Sequence, residues 1–264
     1  MKAFDEQDAL ETFALKLQRA EQHLDTIDQY LIEYKALDPY RIISELNRDQ
    51  TFYECRLQGI TPPFFDFGIL AGEVAYHLRS LLDHIVFALS DFPVGLSARD
   101  LDRAHRRTGF PILTREHWGE IENRTQYVHS IIRDEVRAII YRYQPYYERD
   151  NPWESLLFFV DEINIIDKHR VINATTGSIG IDTTNLHPEI EFLALGRSVN
   201  ERDIVALVPS HLDPDKDFMQ KLTYHVTLPI RRRNLNVQIV DLRRAHNYIR
   251  DRIIPDFVPF FPKS

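Results

Sequence analysis

Apolar positions recur at alternating spacings of three and four along the start of the chain: Leu10, Phe13, Leu17, Ala20, Leu24, Ile27, Leu31 and Tyr34. That is the a/d seam of a helix packed along a second long helix. It predicts a first helix over residues 5–37, ended ahead of Pro39. Beyond it the period shortens. Residues 40–45 and 51–57 are rich in β-formers and flank Asn47-Arg48-Asp49, which predicts a β-hairpin. Thr61-Pro62-Pro63 then breaks the chain. Residues 68–90 follow as a helix-length run, apolar on nearly every side, and a helix of that kind is a buried one.

Further helices are predicted over 97–107, over 130–144 with Pro145 as its stop, and after Asn151-Pro152, an N-cap followed by proline at the first helical position. From residue 171 the period is two. Residues 171–181, 189–195, 203–208, 224–230 and 236–240 read as strands, and 241–254 as a basic amphipathic helix stopped by Pro255. The sum is an α+β fold in one domain over 1–264. A bundle of long helices (about 1–38, 64–170 and 241–254) carries an antiparallel sheet (about 40–58 and 171–240) built from the early hairpin and the late strands.

Composition narrows the setting. A chain of 264 residues is long enough to bury a sizeable core. No uncharged apolar run reaches membrane-spanning length, so no membrane span is expected. The acidic start MKAFDEQDALE and the single Cys55 point to the cytoplasm. A net charge of −8 argues against a general nucleic-acid coat. Of the 32 basic residues 25 are Arg. Their clusters at Arg103/Arg106/Arg107, Arg231–Arg233 and Arg243/Arg244 read as solvated faces or ion-pair networks.

The chemistry to explain sits inside the apolar helix: Glu73, His77, Arg79, Asp83 and His84. Ionisable groups in such a helix are costly unless paired or used. Three readings follow. The first starts from Arg79 and His84 as an R-x4-H spacing. With 25 Arg and 11 His, about one such pair arises by chance, and Arg124/His129 is another, so the apolar helical setting carries the weight.

In that setting the segment resembles the HEPN superfamily, helical-bundle proteins many of which are metal-independent endoribonucleases. The resemblance implies RNA as partner, a homodimeric cleft, no cofactor, and a place in a toxin or defence system. It implies attack of a ribose 2′-hydroxyl on the adjacent phosphate, with Arg79 stabilising phosphate charge, His84 transferring the proton and Asp83 orienting one of them. On this reading His77, Ser80, Lys168, His169 and Arg170 would contact substrate, and Glu73 and Asp167 would support them. Together with Phe110-Pro111-Ile112, Gln144-Pro145-Tyr146 and Ile166-Asp167-Lys168-His169-Arg170, the segment also resembles a family of uncharacterised bacterial proteins, which implies no reaction. Five residues along a helix is about 140°, so Arg79 and His84 do not share a face. Catalysis by the two calls for a homodimer or a second helix closing the site, and the Asp167–Arg170 cluster is the candidate for that second wall.

The second reading is a metal site. Glu73, His77, Ser80 and His84 fall on one stripe, with Asp161, Glu162 or His169 available to complete a shell. The third is structural: Arg79 and Asp83 pair at i and i+4, Asp167 or Arg170 completes a buried network, and the chain is a non-catalytic binding or assembly protein. No Gly-rich phosphate loop, nucleophile elbow or dinucleotide fingerprint competes with these readings. Trp118, Trp153, His105 and His225 carry no case for chemistry. An open cleft where Arg79 and His84 converge would favour cleavage, and a sealed Arg79–Asp83–Asp167 network would favour structure.

Overall fold

The computed structural model describes residues 6–91, 97–114, 131–148, 151–169, 172, 175–181, 186–194, 202–230 and 235–262. The chain mixes helices with antiparallel sheet, as α+β requires. It divides into two compact units, each assembled from separated segments: Met1–Asp25, Leu70–Val171 and Val240–Ser264 in the first, Thr26–Ile69 and Ile172–Ile239 in the second. Among the described residues no helix is long and apolar enough to cross a membrane.

The first unit is helical. The seam predicted at the N-terminus is realised in α1 (Glu6–Ala36), where Phe13, Ala20 and Leu24 are buried and Leu10 and Leu17 half-buried. Against it runs α2 (Asp66–Ala88). Its apolar residues Val74, Ala75, Leu78, Leu81, Leu82, Ile85 and Val86 are fully buried, each of the larger ones contributing roughly 1.5–3 kcal/mol. The two helices are antiparallel, because His23 of α1 meets Glu73 and His77 while Lys16, two turns earlier, meets Ser80. α2 is not buried all round, as its composition led one to expect: Glu73, Tyr76 and His84 are exposed, and His77 and Ser80 half-buried. Its polar residues line up at helical spacing, which leaves one stripe to water and the broad remainder to the core.

α3 (Ala98–Arg107) starts from Ser97, whose hydroxyl accepts the Asp100 amide at 3.2 Å. Next come α4 (Asp134–Arg142) and α5 (Pro145–Glu148). Asn151 caps only a short 3-10 turn, Pro152–Glu154, and the helix foreseen there, α6 (Leu156–His169), begins after Ser155. The last helix, α7 (Asp241–Tyr248), does not stop at Pro255. The chain widens into a π-turn, Ile249–Ile253, and goes on helically as Ile254–Phe257. Proline brings no N–H and crowds the preceding turn; the wider turn absorbs both effects.

The second unit holds two sheets where one was expected. β1 (Tyr40–Leu46) and β2 (Phe52–Ile60) form the predicted hairpin, with the Asn47 side-chain oxygen accepting the Thr51 and Phe52 amides at 2.9 and 3.2 Å. A late strand, β5 (Ile204–Pro209), pairs with β2, and β4 (Glu191–Phe192) closes the order β1-β2-β5-β4. The remaining late strands, β3 (Thr175–Ile181), β6 (Leu222–Ile230) and β7 (Leu235–Gln238), form a separate antiparallel sheet. Strand periodicity identifies strands but says nothing of which edges meet. Cys55 and Leu57 of β2, Val205, Ala206 and Val208 of β5, and Phe218 make the core of the four-stranded sheet. The Cys55 thiol is fully buried, and burial pushes it up to about 12.

Candidate functional site

Arg79 occupies the centre of α2 with a side chain 18% exposed, and each of its three nitrogens donates a hydrogen bond. Its Nε donates to Asp161 Oδ1 of α6 at 2.8 Å, Nη1 to Asp83 one turn on, and Nη2 to the Phe110 carbonyl at 2.9 Å. The Phe110 amide in turn donates to Asp83 Oδ1 at 2.8 Å. Arg79 and Asp83 thus satisfy both backbone groups of one residue and staple the segment after α3 to α2. Gly109 suits the staple: a Cβ there would stand 2.7 Å from Asp83 Oδ1 and make that carboxylate shift. Burial opposes the charge of Arg79, but the carboxylates of Asp83 and Asp161 outweigh it and hold the guanidinium more firmly protonated than usual. Each carboxylate takes one charge-assisted hydrogen bond from the guanidinium, the stronger class of hydrogen bond.

Asp161 therefore takes the place expected of Asp167. Asp167 lies further along α6, exposed, with its carboxylate against Gly72, where a Cβ would be 2.3 Å away. Burial and then the nearby Glu73 raise its pKa. Lys168 and His169 are exposed at the same helix end, and Arg170 lies outside the described residues. Among the described residues, the acid of α6 that meets Arg79 is Asp161. An acid in the middle of the apolar stretch Leu156–Ile166 was the available signal for Asp161.

At the edge of the polar stripe of α2, three of its residues reach side chains of α1. Glu73 pairs with His23 Nδ1 at 3.2 Å, His77 stacks on the His23 ring with centroids 5.8 Å apart, and Ser80 accepts from Lys16 Nζ at 2.9 Å. The His77 imidazole is held below its ordinary pKa by burial and by His23 and Lys16, against an opposing pull from Glu73. Among the described residues its buried Nδ1 has no hydrogen-bond partner. His84 is lowered by burial and Lys16, with Asp83 opposing, and burial lowers Lys16 itself. Two imidazoles and one half-buried amine, all held below their ordinary pKa values, thus lie close to Ser80.

His84 and Asp83 border a cavity of about 360 Å³ closed by Thr12 and Phe13 of α1, Phe87 of α2 and His105 of α3. His105 meets Phe87 edge-on at 5.1 Å, so a histidine set aside on the sequence lies in a pocket wall. Arg79 is not among the residues that line it. Asp83 joins the two features, one carboxylate serving the staple and bordering the cavity. Of the stripe considered for a metal, Glu73 and His77 both meet His23, Ser80 accepts from Lys16, and His84 borders the cavity. Among the described residues, the donors gathered closely enough to hold an ion are His187, Glu189 and His211 of the second unit. Comparison of the chain with protein-family models, with curated proteins and with solved structures finds no match.

Proposed function

We propose that this chain is a non-catalytic binding protein. Its first unit acts as a bundle of long helices in which Arg79, Asp83 and Asp161 form a structural tie. The cavity bordered by His84 is its recognition site, for a compact, mostly apolar molecule carrying one polar group. The observation behind this reading is the commitment of Arg79: three of its N–H groups are spent on Asp161, Asp83 and the Phe110 carbonyl, so the fork has little left for a phosphate. A cavity of about 360 Å³ falls at the small end of the range for small-molecule sites.

The HEPN-type ribonuclease is the second reading, and Lys16 favours it. Its ammonium reaches Ser80 and lies close enough to His84 to lower that imidazole. Lys16 would then neutralise phosphate where Arg79 cannot reach, His84 would transfer the proton, and a homodimer would close the cleft over RNA.

One experiment separates the two. Mixed RNAs are incubated in excess EDTA with wild type, Lys16→Ala and His84→Ala, while ligand-observed NMR screens small aromatic amines, acids and alcohols against wild type and Ala88→Phe. The binding reading expects no cleavage, and ligands that Ala88→Phe, which fills the cavity, no longer binds. Cleavage lost in folded His84→Ala establishes the ribonuclease instead. Ligands that bind Ala88→Phe as well as wild type overturn the cavity as the recognition site.

A further inference from the structure

A cluster in the second unit is independent of the cavity and of either reading above. His187, Glu189 and His211 each offer one ligand atom, and these atoms all lie within 4.8 Å of one another. Two imidazoles and a carboxylate are the donor set of three-ligand zinc sites that keep a fourth position open.

The backbone explains how the three meet. His187-Pro188-Glu189-Ile190 is a tight turn, closed by the Ile190 amide on the His187 carbonyl at 3.0 Å. Pro188 stands at its second position, where a fixed φ favours the turn. That puts His187 and Glu189 on one loop directly before β4. His211 comes from the turn after β5, where the Leu212 amide donates to the Pro209 carbonyl at 3.0 Å and the Ser210 amide to Thr51 at 2.9 Å. β4 and β5 are antiparallel, with Glu191 opposite Leu207 and Phe192 opposite Ala206. Continuing that register brings His187 opposite His211, and their rings stand edge to face with centroids 6.1 Å apart.

The ligands are also held from below. Leu186, Ile190 and Leu212, the neighbours of the three residues in sequence, all pack on the core of the four-stranded sheet. Rigid anchors beside each ligand are what preorganise a site. Glu189 and His211 are exposed and His187 half-buried, so the side chains have room to draw in. Tetrahedral zinc sets its donors about 3.4 Å apart, so the three ligand atoms would draw together on binding. The Glu189 amide lies 3.4 Å from His187 Nδ1, at the long limit of a hydrogen bond, and holds that ring only weakly.

We propose that His187, Glu189 and His211 bind one divalent transition-metal ion of the zinc class, with the fourth coordination position open to solvent. The ion clips the turn before β4 to the end of β5. β4 pairs over two residues only, so the clip fastens a sheet edge that the ladder holds weakly. One carboxylate against a dication leaves the loaded site positive, able to take a water or a small anion as fourth ligand.

The test uses the full chain stripped with EDTA and titrated with Zn²⁺ by calorimetry, with Co²⁺ as an optical probe. One ion per chain, a higher melting temperature with Zn²⁺, and visible ligand-field absorption with Co²⁺ are expected. His211→Gln and Glu189→Gln should each weaken binding by about tenfold or more and lose the Co²⁺ spectrum, while melting like metal-free wild type. His77→Gln, on the α2 stripe, should bind as wild type does. No uptake by wild type, or uptake unchanged in His211→Gln and Glu189→Gln, overturns the site.

Discussion

Two polar clusters of this molecule differ in what their internal bonds leave over. In the first unit, Arg79 meets two carboxylates and a carbonyl, and Asp83 meets a guanidinium and an amide. In the second, two imidazoles and a carboxylate converge from two turns, joined by an edge-to-face ring contact and one long backbone contact. The first cluster is closed by its own partners and contributes order. The second has donor atoms to spare and contributes capacity. A charged motif is evidence of chemistry only after its internal bonds have been subtracted.

The largest effect is expected where the cluster is closed. Arg79→Ala leaves Asp161, Asp83 and the Phe110 carbonyl without their donor, and should cost about 3–5 kcal/mol in urea unfolding. A loss under 1 kcal/mol with RNA-related function abolished would reverse the comparison. Gly109→Ala comes next. Its Cβ presses on Asp83 Oδ1, so a loss of about 1–3 kcal/mol is expected, and Asp83→Ala in the same chain should recover part of it. Additive losses in that double-mutant cycle would show that the close approach is not the cause.

Smaller again is a pH effect from His77. Its folded pKa lies below the ordinary value of 6.5, so the unfolded chain takes up the proton more readily. The stability it contributes is complete above pH 6.5 and is lost as pH falls from there through the depressed folded value. Denaturation midpoints followed from pH 7.5 down to about 4.5 should decline, and His77→Gln should flatten the decline; a curve that stays as steep sinks the assignment. Smallest of all is His211→Gln in metal-free protein, expected within about 0.5 kcal/mol of wild type, because an exposed ligand with no ion supports little.

Particular residues show what could be read in advance. The Arg79–Asp83 pair follows from a spacing of four on a helix, and α1 follows from its own seam, since both depend on contacts one turn apart. Asp161 was visible only as an acid in an apolar run, and the Phe110 backbone not at all: neither has a periodicity that points at Arg79. His105 looked inert because its cavity is made by three helices. His187 and His211 lie far apart in sequence with no spacing that links them, and it is the register of β4 on β5 that sets them opposite each other.

What the chain determined by itself is therefore local: helices, strands, the hairpin at Asn47 and the i, i+4 ion pair, each set by periodicity and steric preference within a few residues. Which strands share a sheet, which acid closes on Arg79 and which donors remain unspent were decided only in three dimensions. The physical reason is that a side chain's free energy depends on the partners and the water around it, and packing brings those from anywhere in the sequence.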